Sequence, residues 1–583
     1  MYHFSMRFLS AFFVFLANCR VFVHNFLAEV FGTLPDYVWL DVGGGLPEFE
    51  RRIGFLRRRL SPPRRTVSLE ELREKLRVIS ADGRVSGVVL RIRGLDAGWA
   101  SLEELRTELA DYKRRGGRVV AYLVEGGTGP YYLASVADEI IVPPLAAVDV
   151  SGLRANVTFL RDALDMIGVE AEVVAVSPYK SAFDRFTKND FSEESREQVE
   201  RLLTGRFSEV VAAVSASRSF TAGEVESLID EAPYPAKASL AAGLVDGVSY
   251  EDELPERLGE DDEKPAKLAE WAVAASSLRR PYRRRVGKRV GVVTLSGAIV
   301  RGRSRNVPIP VPLVGGEQAG DETVIAALRS AEKNPQVGSI LFHVESGGGD
   351  ALASDLIWRE VERIKRKKPV VVLMGNVAAS GGYYVGAAAN RIIVRKNTVT
   401  GSIGVITLRP VASRLYEKLG LNSVSVERGA NAGLLDVSRP PTERELRVIE
   451  GQIRAIYDEF LSRVSEGRRM SADRLEEIAG GRVWTGTEAV KLGLADEVGG
   501  YSLAIERAAE LADLKLRGPD SVVMVPAPKG STKPAPGEAA AFLGGEAMIG
   551  ELREAYSDLL KTRTLAVLPY TLSGDGEERW AGR

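Results

Sequence analysis

The sequence predicts two copies of one α/β fold in tandem, behind an apolar N-terminal segment. Three observations carry this. The chain has 583 residues, more than one hydrophobic core supports. Strand-forming runs alternate with amphipathic helical stretches from Tyr37 onward. Short matches also recur at one spacing. Gly87-Val88-Val89-Leu90 matches Gly338-Ser339-Ile340-Leu341. Tyr131-Tyr132 with Ile140-Ile141-Val142 matches Tyr383-Tyr384 with Ile392-Ile393-Val394. Ala242-Gly243-Leu244-Val245-Asp246 matches Leu492-Gly493-Leu494-Ala495-Asp496. Each pair lies about 250 residues apart, and a constant offset over such a length marks a duplicated unit.

Residues 1–32 are apolar and aromatic, and Phe8 to Cys19 carries no charge. A spanning helix needs about 20 apolar residues. On a helical wheel Asn18, Arg20, His24, Asn25 and Glu29 fall on one half of the circumference, so an in-plane amphipathic anchor fits as well as a spanning one. Leu16-Ala17-Asn18-Cys19 also reads as a weak lipoprotein cleavage site, and a buried helix of a soluble domain is the plain alternative. Residues 37–250 form the first repeat, with a strand over Gly87–Ile92, a helix over Leu102–Lys113 and a strand over Arg118–Leu123. Residues 251–289 read as a charged linker. It runs from acidic Glu260-Asp261-Asp262-Glu263 to basic Arg279-Arg280-Pro281-Tyr282-Arg283-Arg284-Arg285, either solvated or in contact with membrane phosphates. The second repeat follows over 290–512. Residues 513–583 form a C-terminal extension, with a flexible Pro/Ala/Gly-rich stretch at 526–546 and an amphipathic helix from Glu546 to Thr562.

Composition narrows the chemistry. The net charge of -1 gives no global attraction to nucleic acid. Cys19 is the single cysteine, so no intrachain disulfide or Cys-based metal site forms. His3, His24 and His343 are the only histidines, which removes most zinc sites and most Ser-His-Asp triads. His343 lies mid-strand and reads as a core or interface residue. A hydrolytic serine here needs another base.

The run Val370–Met374 leads into Gly375-Asn376-Val377-Ala378-Ala379-Ser380-Gly381-Gly382-Tyr383-Tyr384, a strand, a tight turn and a helix. Ser380 then sits at a helix N-terminus, where the N–H groups of Gly381 and Gly382 have no helical partner and can face an oxyanion. Alone, such a turn more often just packs a helix onto a sheet. Ser346-Gly347-Gly348-Gly349-Asp350 offers a second set of backbone donors, and no Gly-Lys-Ser/Thr follows to make a phosphate loop. Thr400-Gly401-Ser402-Ile403-Gly404 is a third glycine turn. Lysine is the natural substitute for histidine as a base, provided burial brings its pKa of about 10.4 toward neutrality. Lys180 stands among mostly uncharged neighbours in Ser177-Pro178-Tyr179-Lys180-Ser181-Ala182-Phe183. Across the repeat, Thr128 aligns with Ser380, Val150 with Ser402, and Ala430 with Lys180. Each copy therefore keeps one half of a Ser/Lys pair.

Taken together, Ala379-Ser380-Gly381-Gly382-Tyr383, Thr400-Gly401-Ser402-Ile403-Gly404 and Tyr179-Lys180-Ser181 resemble the signal peptide peptidase A family in its long, two-repeat form, over residues 37–510. The resemblance implies two tandem ClpP/crotonase-like domains of repeated β-β-α units with an N-terminal membrane-anchoring segment. It implies a serine protease with a Ser/Lys dyad: Ser380 as nucleophile, Lys180 as general base, Ser402 orienting the lysine. Gly381 and the Gly348-Gly349 region would form the oxyanion hole. It further implies no metal or cofactor, signal peptides and other hydrophobic peptides as substrates, and a homotetramer at the cytoplasmic membrane with its catalytic domains on the extracytoplasmic side. The family's usual Ser-Pro-Gly-Gly stands here as Ser346-Gly347-Gly348-Gly349. Two other functions remain open to the sequence: a crotonase-like acyl-coenzyme A enzyme, and a non-catalytic membrane scaffold.

Overall fold

In the computed structural model the described residues are 2–50, 67–259, 264–307, 316–528, 530 and 565–567. The chain opens with helix α1 (Tyr2–Phe31). The first repeat then builds β1 (Tyr37–Gly44), β2 (Gly87–Leu95), helix α2 (Trp99–Arg114), β3 (Arg118–Leu123) and β4 (Glu139–Val142). It continues through β5 (Glu170–Ala175), the long helix α3 (Glu193–Arg218), β6 (Gly247–Val248) and β7 (Leu268–Glu270), followed by α4 (Trp271–Ser277). Six of these strands make a parallel sheet in the order β7-β1-β2-β3-β4-β6. The central strands are covered on both faces, so they read as unbroken Val/Ile/Leu runs instead of alternating patterns.

The second repeat restates this plan. It contains β8 (Arg289–Ser296), β9 (Val337–Ser346), β10 (Gly348–Asp350), β11 (Val370–Ala379), helix α5 (Gly381–Gly386) and β12 (Arg391–Val394). Then come β13 (Val399–Gly401), β14 (Ile406–Val411), β15 (Val483–Thr485), β16 (Glu497–Val498) and β17 (Val522–Met524). The parallel path β17-β8-β9-β11-β12-β16 copies that of the first repeat strand for strand. Its core devices are duplicated too. Tyr131 donates to the Leu244 carbonyl and Tyr383 to that of Leu494, both at 2.8 Å. Asp246 and Asp496 each accept a strand N–H, from Ile140 and Ile392, and each pairs with an arginine, Arg218 and Arg468.

This correspondence corrects two expected boundaries. Residues 251–289 are not simply a linker, because β7 is the edge strand of the first sheet, beside β1. The C-terminal extension does not begin at 513, because β17 is the equivalent edge strand beside β8. A three-residue edge strand has too short a run to show a period, so composition hides it. The acidic run at 260–263 and most of the stretch at 526–546 lie outside the described residues, as does the helix expected from Glu546 to Thr562.

A third sheet joins the repeats and positions the site. β5 of the first repeat pairs antiparallel with β14 of the second over the whole of both strands, from Ile406 opposite Ala175 to Val411 opposite Glu170. β18 (Leu565–Val567) lies antiparallel to β10 and to β14, between them. Below, the interface is ionic. Arg395 of the second repeat is 2% exposed and pairs with Glu48 at 2.5 Å and Glu104 at 2.7 Å, both from the first. Arg73 bridges the same two carboxylates at 3.0 Å. Burial opposes ionisation of Glu48, but Arg395 and Arg73 hold its carboxyl down to about 2. His343 is buried beside this cluster, edge-on to Phe49, and desolvation pushes its pKa down to about 4. It packs at the interface between the repeats.

Candidate active site

Strand β11 is buried along most of its length and ends at Ser380, which caps α5. Ser380 has φ 56° and ψ −118°, a backbone state that is costly for a residue with a Cβ and that holds its hydroxyl at the head of a sharp strand-to-helix turn. The turn is held by the Ser380 N–H donating to Gly401 O at 2.8 Å and by Tyr384 N–H donating to Ser380 O at 2.9 Å. Only glycine fits next to it: a Cβ on Gly382 would stand 2.3 Å from Ser346 O, and one on Gly381 would stand 2.6 Å from Ser354 Oγ.

The pairing of β5 with β14 explains how Lys180 arrives. Lys180 follows the end of β5 by a few residues, and Ser402 precedes the start of β14 by a few, so the antiparallel register brings the two segments side by side. The lysine Nζ lies 2.7 Å from Ser380 Oγ, 2.9 Å from Ser402 Oγ and 2.8 Å from the Ser402 carbonyl. Lys180 is 1% exposed, and Ser380 and Ser402 are fully buried. Desolvation is what moves the lysine, holding its pKa well below the ordinary range. A charged ammonium would donate to all three oxygens. A neutral amine would donate its two N–H to Ser402 and turn its lone pair toward the Ser380 hydroxyl.

The oxyanion side is narrower than expected. The Gly348 N–H already donates to Ser346 Oγ at 3.1 Å, so it is not available as a donor. Gly349 N remains close to the turn, 3.2 Å from the place a Gly381 Cβ would take. Gly348 itself has φ 105°, which a β-carbon would strain, and this keeps the β9–β10 corner tight against Ser380. With Gly347 where the family has proline, Gly349 N still lies close to the Ser380-Gly381 turn.

Several residues that hold the lysine escaped the sequence reading. A Cβ on Gly481 would stand 2.7 Å from Lys180 Cα, so the lysine backbone packs directly on the Gly480-Gly481 turn. Ser177 Oγ donates to Gly480 O. Gln198 on α3 is fully buried, donates to Tyr179 O at 3.1 Å and accepts from Val483 N at 2.9 Å. Arg482 stacks on the Tyr179 ring at 3.8 Å. The Gly-Gly dipeptide was a legible sign of close approach; Gln198 and Arg482 had none. The pseudo-equivalent position in the first repeat differs. Thr128 donates to Gly152 O at 2.8 Å, and apolar Val150 stands where the second repeat has Ser402. Ala430, the counterpart of Lys180, lies in an exposed loop. Among the described residues, no cluster of His, Cys, Asp and Glu is suited to hold a metal ion.

Comparison with known proteins bears on the class of chemistry. The model of peptidase family S49 matches twice, over residues 112–264 and 362–515. The chain is 34% identical to the chloroplastic serine protease SPPA of Arabidopsis thaliana, over 80% of this chain and 69% of that protein. It is 30% identical to Protease 4 of Haemophilus influenzae, over 74% of this chain and 71% of that protein. It is 35% identical to a putative signal peptide peptidase SppA of Enterococcus faecium, over 32% of this chain and 55% of that protein. Neither the acyl-coenzyme A reading nor the scaffold reading finds support in these relatives. The doubled family match, the relatives' extent and the two α/β repeats make one conclusion: the chain belongs to peptidase family S49 and is a serine protease.

Proposed function

We propose that the chain is a membrane-attached endopeptidase that degrades cleaved signal peptides and other hydrophobic peptides through a Ser380/Lys180 dyad. The observation that carries this reading is a buried lysine with its amine 2.7 Å from the serine hydroxyl and desolvation as the cause of its lowered pKa. Lys180 takes the Ser380 proton as Oγ attacks the peptide carbonyl carbon. The oxyanion of the tetrahedral intermediate rests on the N–H groups of Gly381 and Gly349. Lys180 then returns the proton to the leaving amine, and the acyl-enzyme forms. A water, deprotonated by the Lys180 amine, then attacks the ester carbonyl, and Lys180 returns that proton to Ser380 Oγ as the C–Oγ bond breaks and the acid product leaves. Ser402 holds the lysine by its hydroxyl and carbonyl throughout.

The substrate enters extended. The position that β18 takes between β10 and β14 accepts a backbone antiparallel to both, beside the serine. Attachment rests on residues 1–32, whose stretch Val14–Phe31 is long and apolar enough to cross a bilayer. The Enterococcus faecium relative named as a putative signal peptide peptidase supplies the substrate class, and the resemblance supplies a homotetramer with its catalytic face outside the cytoplasm. The unit boundaries that fit best are 37–277 and 289–524. The test is labelling with a serine-reactive fluorophosphonate. Modification at Ser380 that disappears in Lys180→Ala is expected; modification elsewhere, with Ser380 untouched, overturns the assignment.

A further inference from the structure

Helix α1 is turned inside out relative to a helix of a soluble domain. The side chains that face the protein are Val14, Ala17, Asn18, Val21, His24, Asn25 and Ala28, recurring every three or four residues. Asn18 and Asn25 each make two hydrogen bonds to one backbone unit of a strap that follows α4. Asn18 accepts from Arg283 N at 2.8 Å and donates to Arg283 O at 3.0 Å; Asn25 does the same with Arg280 at the same distances. His24 Nε2 lies 3.0 Å from Leu278 O, and Glu29 pairs with Arg279 at 2.8 Å. The outward face is apolar. Phe15, Phe22, Phe26 and Phe31 are 63%, 61%, 56% and 77% exposed. At 100° per residue, Cys19 sits at the middle of this face, with Arg20 and Glu29 on its rims.

We propose that α1 lies flat in the headgroup region of an anionic bilayer, with its apolar face in the acyl chains and the arginine strap on lipid phosphates. This deepens, and rests on, the membrane-attachment reading above. The charge is complementary: Arg279, Arg280, Arg283, Arg284 and Arg285 of the strap are exposed, and Arg20 borders the helix face, against the single carboxylate Glu29. The strap also decides between lying and spanning. It is bonded to α1 from Asn18 to Glu29, so a spanning helix would carry its arginines into hydrocarbon or shed these bonds. The part of α1 before Asn18 is about 24 Å long, short of a core of about 30 Å.

Two measurements test this on the full chain. The first is flotation with phosphatidylcholine vesicles, with and without phosphatidylglycerol. Binding is expected to require the anionic lipid, to weaken with salt, and to fall about a hundredfold in the triple variant Arg280→Gln, Arg283→Gln, Arg284→Gln, at about fivefold per arginine. That variant's cleavage of a soluble peptide should be unchanged, since none of the three touches the site. The second is depth-dependent quenching of a fluorophore on native Cys19, and on Val30→Cys in a Cys19→Ser background. Equal, shallow depths are expected. Depths differing by about 16 Å, the helical rise between the two positions, would mean a spanning helix and overturn the proposal while leaving membrane attachment intact. Equal binding to both vesicle types would overturn the requirement for an anionic bilayer. Binding to neither would sink attachment itself.

Discussion

Ser402→Ala isolates the group proposed to orient the base. Ser402 offers the lysine two acceptors, Oγ at 2.9 Å and the carbonyl at 2.8 Å, and the substitution removes only the first. The carbonyl keeps Nζ near Ser380, so the effect is one of strength and not of misplacement. Before proton transfer the amine is neutral, and a hydrogen bond from it is worth about 0.5–1.5 kcal/mol; once it carries the serine's proton the bond is worth about 1.5–3 kcal/mol. Only the difference, about 1–1.5 kcal/mol, acts on the barrier, which gives about a five- to thirteenfold fall in the acylation rate. The pH profile should move as well. An acceptor favours the ammonium, so losing it lowers the lysine pKa further, and the rising limb of kcat/KM shifts to lower pH with a reduced plateau. Single-turnover cleavage of a fluorogenic peptide across pH reads both. An unchanged plateau and limb would refute the orienting role.

Lys180→Met should abolish cleavage yet raise thermal stability at neutral pH. The folded-state pKa of Lys180 is depressed, so the unfolded chain binds more protons up to its ordinary pKa; stability rises with pH through that window, and the gain from Met shrinks toward pH 10.5. Calorimetry showing Lys180→Met less stable than wild type at pH 7 would contradict this. Arg395→Leu leaves Glu48 and Glu104 buried with Arg73 alone and should cost about 3 kcal/mol in urea unfolding; a change below about 1 kcal/mol would show that the cluster is dispensable. Mixing dissociated Lys180→Ala and Ser380→Ala proteins should restore nothing, because both groups meet within one chain; recovered turnover would place the dyad between subunits. Removing residues 530–583 should raise kcat/KM for peptides severalfold, since β18 occupies the strand position beside β10; an unchanged value would mean that substrates bind elsewhere.

The parts of this protein that read from sequence are those whose physics is local. Ser380 announced itself because a strand, a serine and two glycines must make a turn wherever they occur. The duplication was visible because the buried strands keep their Val and Ile runs at one offset. Lys180 was different: its mostly uncharged neighbours are a weak local sign, and its burial comes from nearby Gln198 together with Gly481 and strand β14, which lie far along the chain. The strands β7 and β17 were missed because three residues on a sheet edge cannot display alternation. The polar half of α1 was legible, but its partner lies about 250 residues away and carried only a charge signature, which is equally that of a solvated linker.

The split of the proposed dyad between the repeats has a consequence for biosynthesis. Lys180 leaves the ribosome before Ser380, and at about 5–20 residues per second the interval is about 10–40 s. Through that time the nascent chain holds a lysine with no reason to be neutral, because β14 and the Gly480–Val483 segment that enclose it have not been made. An exposed lysine is an ammonium and no base. The half-made protease is therefore inert toward its own unfolded chain and its neighbours, and the competence to cut arrives only when the second repeat closes over the first. A precursor of this kind needs no pro-segment: folding itself is the activation step.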